Sequence, residues 1–197
     1  MAVPPLDFSA LVARAHDLAW PGRRVILGVT GLPGAGADVL GQALVRRLNT
    51  GPAPDAIPVP GAPTDWAAYL PVGDDAASFR AAAEALTGDI GATVALPGSA
   101  EVGGHIRLVV AVGDWLLSDG DWAHARQRID EVWWAHLPVA DRIARLLAEQ
   151  HARGLAAGQA REWVAQVAQP RAREIATYVD RADLVIPMGR PTASPKA

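Results

Sequence analysis

The residues of this chain whose types and spacing could do chemistry are Gly31-Leu32-Pro33-Gly34-Ala35-Gly36-Ala37-Asp38. Glycines at 31, 34 and 36 let a backbone bend so that successive N–H groups point inward, and the N-terminus of a following helix adds positive potential. That combination is a cradle for phosphate oxygens. The spacing Gly31-x4-Gly36 fits the phosphate-loop pattern G-x4-G-K-S/T, but its last two positions do not. The lysine that would bridge phosphates is Ala37, and the hydroxyl that would hold magnesium is Asp38. Gly31, Gly34, Ala35, Gly36, Ala37 and Asp38 therefore form a candidate but degenerate phosphate loop, with no catalytic and no metal residue assigned. The plainer reading is a flexible strand-to-helix turn with an aspartate at the helix start, where it interacts favourably with the dipole.

Asp38 invites a further expectation. A carboxylate in the first turn could accept hydrogen bonds from the loop N–H groups and act as an internal substitute for phosphate, holding an empty loop closed. Only arginines could replace the lost cation within the fold, because the single lysine of the chain is Lys196, in a C-terminal tail expected to be disordered.

The loop needs a strand before it and a helix after it. Val25–Val29 is a β-branched apolar run, and Leu40, Leu44, Val45 and Leu48 repeat at helical spacing over about 37–49. A first helix is expected over 7–18, capped by Asp7 or Ser9 and ended at Pro21-Gly22. Residues 51–63 carry five prolines and read as loop, with a short strand at 56–59. An alanine-rich helix is expected over 74–86 and a short strand at 93–96. Leu108–Val112 reads as a buried parallel strand and Glu131–Leu137 as another. Helices follow from Pro138, then around Ala160–Val167 with Pro170 interrupting, then around Ala172–Val179. A final strand falls at Leu184–Ile186. Alternating strands and helices imply a three-layer α/β fold, a mostly parallel sheet flanked by helices, in one domain over 1–189 with a tail at 190–197.

Composition narrows the function classes. Half of the 197 residues are hydrophobic, enough for a sizeable core, and the net charge of −3 argues against nucleic-acid binding through bulk charge. There are no cysteines, so thiolate chemistry and disulfides are excluded. No secretory leader pattern and no apolar run near about 20 residues is present, so no membrane partner is expected and a cytoplasmic location is. The five histidines show no metal-ligand spacing, and Gly98-Ser99 lacks the surroundings of a nucleophile elbow. Asp114, Asp119 and Asp121 read as a solvated loop in preference to a weak cation site. Arg142, Arg145 and Arg153 read as a helix face turned to water.

Several stretches resemble one family. GVTGLPGAGADVL is similar to GITGPPGAGKSTL, and VVAVGDWLLSD to VVVEGNYLLLD, of the uridine kinase and phosphoribulokinase-like branch of P-loop kinases, especially its bacterial nucleoside- or sugar-kinase-like members. EVWWAHLPVADRIARLLAEQHARGLAAGQAREWVAQVAQPRAREI resembles that branch's E-V-W-F-L-D-V, R-L-x-x-R-H, G-L-x-x-x-x-A-x-x-W-V and D-E-P-N-A segments, and RADLVI its closing strand. The likeness runs in order over roughly 11–48 and 108–187. It implies a P-loop kinase-like fold and transfer of the γ-phosphoryl of ATP to a hydroxyl, a reaction of positioning and charge neutralisation. It also implies where the helpers have gone. The phosphate lysine falls on Ala37, the magnesium hydroxyl on Asp38, the general-base aspartate on Pro60, the glutamate of E-G-N-Y on Val112 and the lid arginine on Glu149. The first lid arginine survives as Arg145, and D-E-P-N becomes Ala168-Gln169-Pro170-Arg171. Gly113 reads as a close approach, and Trp115, Leu116 and Trp163 as core.

Five replaced roles imply a catalytically impaired member with a binding or regulatory role, needing no cofactor and paired with a protein partner or a second copy. Trp66, Trp122, Trp133 and Trp134 would supply an exposed aromatic patch for that purpose. The alternative is an active ATP- and magnesium-dependent kinase with relocated residues, with Arg145 or Arg171 reaching the loop and Asp38 or Asp114 serving the metal. A third reading is an anion binder through backbone N–H groups alone, which requires an open loop with Asp38 turned away.

Overall fold

In the computed structural model, residues 7–19, 23–51, 65–87, 91–96 and 101–189 are described. They form a five-stranded parallel sheet in the order β2-β3-β1-β4-β5. Its strands are β1 (Val25–Gly31), β2 (Ala67–Pro71), β3 (Leu108–Val112), β4 (Glu131–His136) and β5 (Leu184–Pro187). The central strand β1 pairs with β3 from Val25 opposite Leu108, and with β4 from Leu27 opposite Glu131.

The period of two along these strands builds both faces of the core. Val25, Leu27, Val29, Leu108, Val110 and Trp133 point to one side, where they meet Leu11 and Ala15 of α1 (Phe8–Leu18) and Leu40, Leu44 and Leu48 of α2 (Ala37–Leu48). Ile26, Val109, Ala111, Val132 and Trp134 point to the other. There they meet Phe79, Ala83 and Leu86 of α3 (Ala76–Leu86), Ala125 of α4 (Asp121–Arg126), and Ile175. The result is the three-layer α/β arrangement that the alternation of elements implies.

Helix starts follow their caps. Asp7 accepts from the Ser9 N–H and Asp75 from the Ala77 N–H, each satisfying one orphan donor of a first turn. Past β4 the chain runs into α5 (Val139–Ala152), α6 (Ala157–Trp163) and α7 (Gln169–Ala176). A small cluster of Leu146, Val164 and Ala168, with Trp163 packed against it, ties α5 to this pair.

Several expectations are corrected. Pro170 does not interrupt the helical run. A π-helical turn at Val164–Ala168 carries the chain from α6 straight into α7, and the wider turn makes room for a proline that has no N–H to give. β2 lies at Ala67–Pro71, which the apolar pattern did not mark, while the strand expected at 56–59 falls outside the described residues. The strand at 93–96 reduces to a single antiparallel bridge between Val94 and Val102. The aromatic patch does not form: Trp66, Trp133 and Trp134 are at most 2% exposed, and Trp122 is half-buried and stacked on Phe79. Exposed large apolar side chains are scattered singly at Phe8, Val39, Val139, Val167 and Val185.

Candidate functional site

The loop after β1 sits at the carboxyl end of the sheet, where open α/β sheets place their ligands. Gly34 has φ 82° and Gly36 φ 92°, left-handed values that L side chains adopt at a cost. Within the loop the Ala35 N–H donates to Leu32 O at 2.8 Å, and Leu40 N–H donates to Gly36 O at 3.0 Å. Among the described residues, the N–H groups of Gly34, Gly36, Ala37 and Asp38 have no acceptor. These four residues line a cavity of about 240 Å³, with Leu32, Tyr69, Gly113, Asp114 and Arg171 around it.

Helix α5 presses on the loop from one side. Added at Gly34, a Cβ would lie 2.6 Å from Leu146 Cγ and 3.0 Å from Arg142 O. The Arg142 side chain is only 2% exposed; its Nη1 donates to Pro33 O at 2.9 Å and its Nη2 to Gln169 Oε1 at 2.8 Å. Burial pulls its pKa below the ordinary guanidinium value, though arginine holds its proton in proteins. One turn on, the Arg145 guanidinium lies against Gly36, so a Cβ there would collide with its Nη1. That Nη1 is buried and has no hydrogen-bond partner.

At the cavity rim, Arg171 of α7 pairs with two carboxylates. Its Nη1 donates to Asp74 Oδ2 at 3.1 Å, and its Nε lies 3.0 Å from Asp114 Oδ2. The same guanidinium covers the Trp115 ring at 4.8 Å, and Trp115 Nε1 donates to Asp74 Oδ1 at 3.1 Å. Hydrogen bonds from Arg171 hold the Asp74 carboxyl below its usual value. Burial pushes the Asp114 carboxyl up, opposed by Arg171 and reinforced by Asp74 and Asp38 nearby. The backbone at Asp114 is fixed by Thr30, whose Oγ1 donates to Asp114 O at 3.1 Å.

Gly31 closes β1, Gly34, Ala35 and Gly36 lie in the turn, and Ala37 and Asp38 open α2. Asp38 is a correction: its side chain is exposed at the first turn of α2 and accepts no hydrogen bond from the loop, so it does not stand in for phosphate. Arg142 and Arg145 are corrected too, since they face the loop while Arg153 is exposed. Periodicity alone could not separate a loop-facing arginine stripe from a solvated one. Trp115 is half-buried and packs against the core cluster from the rim, Leu116 is fully buried, and Trp163 is half-buried against Leu146, Val164 and Ala168. Gly113 makes the close approach expected: a Cβ there would lie 2.9 Å from Val72 O. Asp114 and Asp119 are each paired with an arginine rather than merely solvated, Asp119 with Arg181 at 2.7 Å. Among the described residues no group of three His, Cys, Asp or Glu side chains could hold a metal ion, and no helix is long and apolar enough to cross a membrane. Pro60, Gly98-Ser99 and Lys196 lie outside the described residues. Asp74 was the residue that sequence reasoning missed, and it carries no local signal beyond lying just before a helix.

A parallel 2-3-1-4-5 sheet with a glycine loop between its central strand and α2 is the fold of the P-loop kinases. The chain is similar over 92% of its length to the whole of a candidate fructose transport system kinase from Silicibacter sp. TM1040, with a TM-score of 0.72 and 23% identity. It is similar over 92% of its length to 98% of YFH7 from Saccharomyces cerevisiae, a candidate P-loop kinase with a circular permutation, with a TM-score of 0.66 and 10% identity. A candidate uridine kinase from Bacillus stearothermophilus matches over 91% of this chain and 96% of its own, with a TM-score of 0.50 and 14% identity. These likenesses agree with the uridine kinase-like resemblance of the motifs. No family model matches the chain, and no curated protein matches it.

Proposed function

We propose that this chain is a catalytically impaired P-loop kinase-like protein that holds a phosphate-bearing ligand in its loop and acts by binding or regulation. The supporting observation is the set of N–H groups of Gly34, Gly36, Ala37 and Asp38 without acceptors, beside the buried and unpartnered Nη1 of Arg145. N–H groups gathered at a helix start favour negative charge, and an oxyanion would accept from them together. The donor set fits phosphate oxygens. At the position of the magnesium-holding hydroxyl stands Asp38, its side chain exposed at the cavity. Ala37 cannot follow a transferred phosphoryl group, and Asp38 and Asp114 add negative charge at the cavity. The likeness to a candidate fructose transport system kinase and a candidate uridine kinase makes nucleotides and sugar phosphates the first ligands to try.

The test is calorimetry with pyrophosphate, ADP and ATP, with and without magnesium, beside an assay of phosphoryl transfer to nucleosides and sugars. Binding at about millimolar or tighter, indifferent to magnesium and without transfer, is the expected result. No heat from any anion would sink the reading and leave the loop as a structural turn. An active kinase with relocated residues is the second reading, favoured by Arg171 and Asp114 meeting at the cavity rim. Magnesium-dependent binding with turnover would establish it instead.

A further inference from the structure

A second cavity, of about 330 Å³, is lined in part by Asp74 and Trp115, the two residues that Arg171 of the first cavity contacts. Three rings line it, Trp115, Trp122 and Tyr178, together with three carboxylates, Asp74, Asp119 and Glu174, and Ser118. Two ring and carboxylate combinations already hold a cation of the chain. Arg171 lies 4.8 Å over Trp115 and pairs with Asp74, and Arg181 lies 4.7 Å over Tyr178 and pairs with Asp119 at 2.7 Å. The third, Trp122 and Glu174, holds none: among the described residues Glu174 has no ion pair, and Trp122 is stacked on Phe79 with centroids 6.0 Å apart. Independently, Ser118 at the same cavity is 6% exposed and its Oγ has no hydrogen-bond partner.

We infer that this cavity is a binding site for a small organic cation bearing a guanidinium or primary ammonium group. Among the described residues Glu174 is the carboxylate of this cavity that no arginine pairs with, and one positive charge balances it. The Trp122 ring, over which no described cation lies, attracts it through its quadrupole, and Ser118 Oγ accepts one of its N–H groups. A neutral ligand would leave Glu174 unbalanced. The site is independent of what the phosphate loop binds.

The experiment is titration of the full chain with butylguanidinium and butylammonium, and with butylurea as the neutral isostere, read by tryptophan fluorescence and calorimetry. Saturable binding of both cations, about tenfold tighter than butylurea, is expected from one desolvated charge and ring contact. Glu174→Gln, at an exposed position, should weaken the cations about fivefold or more and leave butylurea unchanged. Ser118→Ala should weaken them less. Butylurea binding as tightly as the cations would overturn the proposal, as would an unchanged cation affinity in Glu174→Gln or no saturation by either cation. Pyrophosphate binding measured on the same Glu174→Gln protein separates the two sites: it should not change, and its absence in the parent would count against the loop reading alone.

Discussion

At the scale of single residues, the loop offers backbone N–H groups, with an alanine at 37 and an aspartate at 38 where the phosphate-loop pattern has a lysine and a hydroxyl. Ala37 and Asp38 both line the cavity, so a lysine at 37 would reach it, and removing the carboxylate at 38 would relieve repulsion of phosphate. Ala37→Lys with Asp38→Ser should therefore tighten ATP by about tenfold in calorimetry, the worth of one good charge-assisted contact. An unchanged affinity would place the limitation in the loop's shape. Asp74 gives a second prediction. Arg171 holds its folded-state pKa below the ordinary 3.8, so the native state binds the proton less readily than the unfolded chain. The stabilisation is present above that value and is lost as pH falls through the folded pKa. The urea midpoint of the parent should drop toward that of Asp74→Asn as the solution is acidified, and the gap at neutral pH should be small because the Asp74 carboxylate is largely exposed. A gap that widens on acidification would reverse the sign.

At the scale of elements, α5 and α7 decide the site. The π turn at Val164–Ala168 accommodates Pro170 and sets α7 so that Gln169 meets Arg142 while Arg171 meets Asp74 and Asp114. Arg142 is the strut between helix and loop, through Pro33 O and Gln169. Arg142→Met keeps the bulk but abandons both contacts, and should cost about 1.5–3 kcal/mol in urea denaturation, the range for hydrogen bonds of a charged group. Pyrophosphate affinity should fall with it, because Gly34 packs on the same turn of α5. Full stability in the variant would mean the strut is idle.

At the scale of the whole molecule, the sheet gains its stability from residues placed on both of its faces. Trp133 and Trp134 are neighbours in sequence and belong to opposite layers. Trp133 has no exposed surface, so Trp133→Ala should cost about 3–5 kcal/mol in guanidinium denaturation. Against a usual total of about 5–15 kcal/mol, that leaves a marginal protein. A loss below about 1 kcal/mol would show that the core refills the space. With these tryptophans inside, any protein partner or second copy must be met by another surface.

What the chain determined by itself is what local pattern can encode. Apolar runs at 25–29 and 108–112 became central strands, helical spacing at 40–48 became α2, and glycine spacing became a loop, because each depends on neighbours a few residues away. Strand β2 escaped because Ala67, Ala68 and Tyr69 give little apolar contrast beside a proline-rich stretch. The equipment of the site was decided only by tertiary structure. Arg142 meets Pro33 across 109 positions, and Arg171 meets Asp74 across 97. A helical face of arginines has one sequence period whether it meets water or a loop, and Asp38 could have turned inward or outward on the same first turn. Such choices are settled by which elements dock, since partners distant in sequence supply the charges, burial and hydrogen bonds.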